Sequence, residues 1–126
     1  MFDHLSVGVA DLGRAAAFYD AALAPLGFVR LAHNARSVCY GPEGFKGEAP
    51  FAIIAHGPVA KPPGPGFHLC FVAPNRDAVG RFHAAALGSG GVDEGHPGIR
   101  LNYNAGYYAA FVRDPDGHRL EAVVHE

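Results

Sequence analysis

Three residues combine metal-ligating chemistry with a pattern that brings them together: His4, His68 and Glu121. His4 opens His4-Leu5-Ser6-Val7-Gly8-Val9 and His68 opens His68-Leu69-Cys70-Phe71-Val72-Ala73. Glu121 interrupts the otherwise apolar run Leu120-Glu121-Ala122-Val123-Val124. Each segment is short, apolar and rich in strand-forming residues, and reads as a β-strand. Side chains alternate across a strand, so Leu5, Val7 and Val9 share one face while His4 and Ser6 share the other. Leu120, Ala122 and Val124 likewise oppose Arg119, Glu121 and Val123. If the apolar faces meet helices, two imidazoles and a carboxylate enter one cavity. That set suits a divalent ion such as Fe, Mn, Zn or Ni and leaves coordination positions open to water or substrate. Taken singly, each residue has an ordinary alternative: a strand histidine satisfied by backbone groups, or a solvated acid on an edge strand.

What joins the three is an internal repeat. Sliding the chain along itself until His4-Leu5 lies on His68-Leu69 also lays Phe18 on Phe82, Ala21-Ala22-Leu23 on Ala85-Ala86-Leu87 and Gly27 on Gly91, without a gap. Asp11 and Asn75 then occupy equivalent N-cap positions. Helical spacing of apolar residues follows, predicting helices close to Leu12–Ala24 and Arg76–Leu87, with Gly27 and Gly91 as left-handed stops. After each helix the period changes to that of strands. These are Phe28–Leu31, Ser37–Tyr40 and Phe51–Ala55 in the first half, and a weak strand at Val92–Glu94, then Tyr107–Arg113 and Arg119–Val124 in the second. Asp114-Pro115-Asp116-Gly117 is a turn closing the last hairpin. Each half is βαβββ. The expected fold is α+β: two such modules forming a curved, half-open mixed sheet with helices on the outer side. The chain is one domain, with module 1 at about 1–57, a Pro-rich linker at about 58–66 and module 2 at about 67–126.

With these motifs in place the sequence resembles the vicinal oxygen chelate superfamily, which holds glyoxalase I, extradiol dioxygenases, fosfomycin-resistance thiol transferases and bleomycin-binding proteins. The likeness covers nearly the whole chain. It is carried by the two His-headed strands, by Ala17-Phe18-Tyr19-Asp20-Ala21-Ala22-Leu23 leading into Leu26-Gly27-Phe28, and most specifically by Phe111-Val112-Arg113-Asp114-Pro115-Asp116-Gly117-His118-Arg119-Leu120-Glu121. The resemblance implies metal binding by His4, His68 and Glu121. It implies an enzyme that chelates adjacent oxygens of a small oxygen-rich metabolite or aromatic diol, dioxygenase-like or lyase-like. Glyoxalase I generally carries a further glutamate on the last strand of its first module. Here that strand, Phe51-Ala52-Ile53-Ile54-Ala55, has no acid, which speaks against a standard lactoylglutathione lyase. The alternative within the family is a metal-free sequestering protein with an apolar groove.

Other residues have weaker claims. His56 lies just beyond the ligandless strand, where it could act as a base or stand in solvent. Gly95 to Tyr108 reads as a long polar and aromatic loop bordering the cavity, in which Arg100 could hold an anionic group and Tyr103 or Tyr107 could donate to a substrate oxygen. The same tyrosines could instead pack a dimer interface. His33, His83, His118 and His125 read as surface or helix residues, and Cys39 and Cys70 as buried free thiols.

Composition bounds the partners. The net charge of −2, with ten scattered Lys and Arg, gives no polyanion-binding surface, so nucleic acid is not expected. No apolar run reaches membrane-spanning length and no leader is visible, so a cytoplasmic protein is expected. Sheet edges needing cover point to a homodimer, with the modules paired within one chain or exchanged between two.

Overall fold

In the computed structural model, which describes Met1–Glu126, Asp11 and Asn75 start the two helices. Asp11 accepts from Arg14 N at 2.9 Å and Asn75 from Ala78 N at 2.8 Å, each satisfying a first-turn donor that has no partner inside the helix. Helix α1 spans Leu12–Leu23 and α2 spans Arg76–Gly88. A 3-10 turn at Ala24–Leu26 follows α1 and ends on Gly27 at φ +89°, the left-handed stop the sequence predicts.

The second stop differs. Gly90, not Gly91, carries the positive φ, and Gly91 is required for space. A Cβ there would lie 2.7 Å from Phe18 Cε1, 2.8 Å from the Ala86 carbonyl oxygen and 3.0 Å from that of Arg113. Two of these neighbours are backbone and cannot swing away. Gly91→Ala is therefore expected to cost roughly 1–3 kcal/mol as an overpacking defect, read as a lower urea midpoint at unchanged slope.

The strands are β1 (Leu5–Val9), β2 (Phe28–His33), β3 (Ser37–Pro42), β4 (Phe51–Ala55), β5 (Leu69–Val72), β6 (Val92–Ile99), β7 (Tyr107–Arg113) and β8 (Arg119–His125). They form two four-stranded sheets ordered β1-β4-β3-β2 and β5-β8-β7-β6. In each sheet the first strand pairs parallel with the last and the other ladders are antiparallel. The fold is α+β, with both modules βαβββ. β6 runs well past the expected Val92–Glu94 and takes in the start of the expected loop. Its alternation is broken by register shifts between Asp93 and Gly95 and between Gly95 and Gly98, and bulges of this kind hide a strand from a period-two reading.

One continuous core joins the halves. Val9, Phe18, Tyr19, Leu23, Tyr40, Phe51 and Ile53 pack in the same cluster as Leu69, Val79, Phe82, Val112, Leu120 and Ala122, and α1 lies against α2. Phe71 meets Phe51 edge-on at 5.4 Å between ring centroids and Phe28 at 6.1 Å. Both sheets thus turn their helix-bearing sides to the shared core. The opposite faces carry His4 and His68, both exposed. No ladder joins the sheets, so β1 and β5 are free edges.

The Asp114–Gly117 turn is more than a hairpin closure, because it clasps the second module to the first. Buried Asp114 accepts from the Tyr19 hydroxyl at 2.5 Å and from the backbone N–H groups of Asp116 and His118. Asp116 accepts from Ala10 N at 2.8 Å and from Arg14 at 3.1 Å, and the His118 ring bonds the Gly8 carbonyl at 2.8 Å. His118 is therefore buried rather than on the surface, while His83 is a helix residue, on the buried side of α2. The thiols also depart from expectation: Cys39 is half-buried and Cys70 exposed, because Cys70 shares the outward face of edge strand β5 with His68.

Candidate metal centre

Glu121 anchors the centre. It lies on β8 between Cys70 of β5 and Phe111 of β7 and is 1% exposed. A carboxylate so buried must be paired or coordinated. His68 Nε2 lies 2.9 Å from its Oε1, and the Tyr107 hydroxyl donates to Oε2 at 2.5 Å. His68 remains open to solvent on the far side, its side chain 48% exposed. Partial burial, and then the Glu121 carboxylate, hold Tyr107 above its ordinary value. Although the residue is exposed as a whole, partial withdrawal of its sulfur from water, with Glu121 beside it, pushes the Cys70 thiol up to about 12, so it stays protonated at neutral pH.

The donors present fit a divalent ion. An imidazole nitrogen and a carboxylate oxygen sit at ligand-to-ligand spacing on adjoining strands. The second oxygen is held by Tyr107 in the manner of the outer partners that orient metal ligands. A cavity of about 290 Å³ opens beside His68, walled by Phe67, Tyr103, Phe111, Glu94 and Arg119.

His4 stands apart from this pair. Its Nδ1 lies 2.7 Å from Asp3 Oδ1, and that bond holds its pKa above 6.5. With the proton on Nδ1 donated to Asp3, Nε2 presents a free lone pair. The one trio of His, Cys, Asp or Glu whose ligand atoms all lie within 4.8 Å of one another is His83, Asp93 and His96. His4 and the His68–Glu121 pair therefore do not converge within one chain. His56 is exposed, its ring over Gly8 on the outward side of β1. Arg100 spends two of its donors on the carbonyls of Gly98 and His96, at 3.0 and 2.7 Å, and stacks on Phe111. The arginine beside the cavity is Arg119, which a strict alternation argument puts on the face of Glu121.

The model of the Glyoxalase/Bleomycin resistance protein/Dioxygenase superfamily matches residues 1–122. The chain belongs to this superfamily. Among solved members it is similar to a glyoxalase/bleomycin resistance protein from Albidiferax ferrireducens T118, with 35% identity over 98% of this chain and 97% of that one and a TM-score of 0.81. A glyoxalase-related enzyme from Fulvimarina pelagi shares the superfamily fold at 21% identity, covering 98% of this chain and 86% of that one, TM-score 0.72. A glyoxalase I mutant from Zea mays does so at 20% identity and TM-score 0.74, covering 95% of this chain but 45% of the maize chain. No curated protein matches. No helix is long and apolar enough to cross a membrane.

Sequence reasoning passes over the inter-module clasp and the His83–Asp93–His96 cluster. The clasp leaves a trace in Tyr19, a polar residue inside an apolar helical stripe. The cluster leaves none, because a bulge brings its strand residues together.

Proposed function

We propose that the protein is a divalent-metal-dependent enzyme of this superfamily, acting on a small oxygen-rich molecule that chelates the ion, in a dioxygenase-like or lyase-like reaction. The ion is held by His68 and Glu121 of one chain and His4 of a second copy. The observation that carries this reading is the buried Glu121 carboxylate, fixed by Tyr107 on one oxygen and faced by solvent-open His68 on the other. A bound divalent ion would supply Lewis-acid polarisation of substrate oxygens. The chain's own residues do the rest: Tyr107 fixes the carboxylate, Phe67 and Phe111 give an apolar wall, and Arg119 offers a cation to an anionic substituent.

The two-chain arrangement is supported by the outward faces of the sheets, by the free edges β1 and β5, and by an apolar groove at their junction. That groove includes Leu5, Phe28, Phe51, Phe71 and Val72, and Val72 is 77% exposed. A second copy laid across the groove covers these residues and brings its own His4 to His68. The protein is thus a homodimer in this reading, and sedimentation at micromolar concentration checks it.

Elemental analysis of the purified protein, followed by calorimetric titration of the chelator-treated form, tests the metal. One ion per chain at this site is expected. No binding of any first-row divalent ion would instead favour the sequestering reading. Tyr107→Phe is expected to keep the stoichiometry while weakening affinity roughly 10–100-fold, the usual effect of losing an outer partner.

A further inference from the structure

We propose that His83, Asp93 and His96 form a second, separate site for a zinc-class divalent ion, tying α2 to β6. The cluster shares no residue with the His68–Glu121 centre. His83 is 6% exposed, and its Nε2 lies 2.8 Å from Asp93 Oδ1. On the open side His96 Nε2 lies 3.5 Å from Asp93 Oδ2, and the two imidazole rings meet edge-on at 5.6 Å.

Regular strand geometry would not make this arrangement. Residues three apart in a strand point to opposite faces, so Asp93 and His96 should be separated by the sheet. The register shift between Asp93 and Gly95 reverses the alternation and puts both on the side of α2, as bulges re-aim side chains elsewhere. Local contacts hold the bulge in place. Gly95 N donates to Asp93 Oδ1 at 3.0 Å, orienting the carboxylate, and the Arg100 guanidinium ties down the carbonyls of His96 and Gly98. A side chain at 95 would crowd the bulge, since a Cβ would stand 3.1 Å from both Arg100 Nη2 and Phe111 Cδ1.

Two imidazole nitrogens and one carboxylate oxygen, all within 4.8 Å of one another, select borderline ions such as Zn²⁺, Ni²⁺ or Cu²⁺ over Mg²⁺ or Ca²⁺, which prefer oxygen-only sets. His83 is buried while Asp93 and His96 are exposed, so the site is open at its outer side, where water would complete the coordination. The rival explanation is a hydrogen-bonded staple between α2 and β6 with no ion.

Zinc titration of the full chain separates the two. His68→Ala removes the other centre and should leave one zinc ion bound per chain, while His68→Ala combined with His96→Ala should bind none at the same concentrations. The His96 side chain is 81% exposed, so its removal leaves folding intact. Histidine ring NMR of the His68→Ala protein gives the independent readout: the His83 and His96 signals should move together and saturate at one equivalent of zinc. Identical zinc binding by the single and double variants, or unmoved His83 signals at saturation, would overturn the proposal. Failure of the His68–Glu121 reading shows separately, as zinc binding by His96→Ala protein that survives Glu121→Ala.

Discussion

Replacing Glu121 with Ala or Gln is expected to abolish stoichiometric metal binding at the His68 centre. A three-ligand site worth about 10 kcal/mol loses roughly a third of that with one ligand, which lowers affinity more than about 100-fold. Gln is the more informative change, because it keeps an oxygen for the Tyr107 hydroxyl and fills the buried volume, so the fold survives while the anionic donor is lost. His68→Ala should behave like Glu121→Gln. His56→Ala should leave the ion in place, since His56 is exposed over Gly8 and the side-chain partners of Glu121 are His68 and Tyr107. Calorimetric titration of chelator-treated proteins reads all four.

Asp114→Ala is expected to be the most destabilising polar substitution in the chain. It strands the buried Tyr19 hydroxyl and two turn N–H groups at once. Each buried group left without a partner costs about 1–3 kcal/mol, so the total loss is roughly 3 kcal/mol or more. Asp114→Asn should recover most of it, because the amide oxygen can still accept from the turn and the amide N–H can donate to Tyr19. Burial raises the Asp114 pKa above 3.8 against the lowering effects of its partners. A raised carboxyl contributes most stability below 3.8 and loses it as pH rises through its folded value. Wild type should therefore gain on the Asn variant as pH falls toward 3.8. Urea unfolding of both proteins across that range measures the difference.

The repeat made the modules legible. Two histidine-headed strands, two N-caps at equivalent positions and the change of period after each helix predict nearly every element, because each signal is local. Interactions between modules were not legible. Asp114 reads as an ordinary turn residue until the fold brings Tyr19 to it, and Gly91 reads as a left-handed stop until Phe18 packs on it. In the candidate metal centre, strand alternation puts His68 and Glu121 on one face, and the pairing of β5 with β8 brings them into contact. It puts His4 on the corresponding face of the first module, but what that face meets depends on assembly, which one chain's periodicity does not encode. β6 failed for a different reason: its bulges break the alternation on which strand recognition rests, and the same break creates the His83–Asp93–His96 cluster.

The most direct test of a centre shared between chains is complementation of metal binding. His4→Ala and Glu121→Gln proteins are co-expressed, freed of metal and titrated in a background where His96 is also Ala. Each variant alone should bind no ion at this centre. In a mixed dimer one of the two centres takes His4 from the Glu121→Gln chain and His68 with Glu121 from the His4→Ala chain, so random pairing should restore about a quarter of the wild-type capacity at wild-type affinity. Tight stoichiometric binding by either variant alone would contradict the ligand set, and no recovery in the mixture would contradict its assembly between two chains.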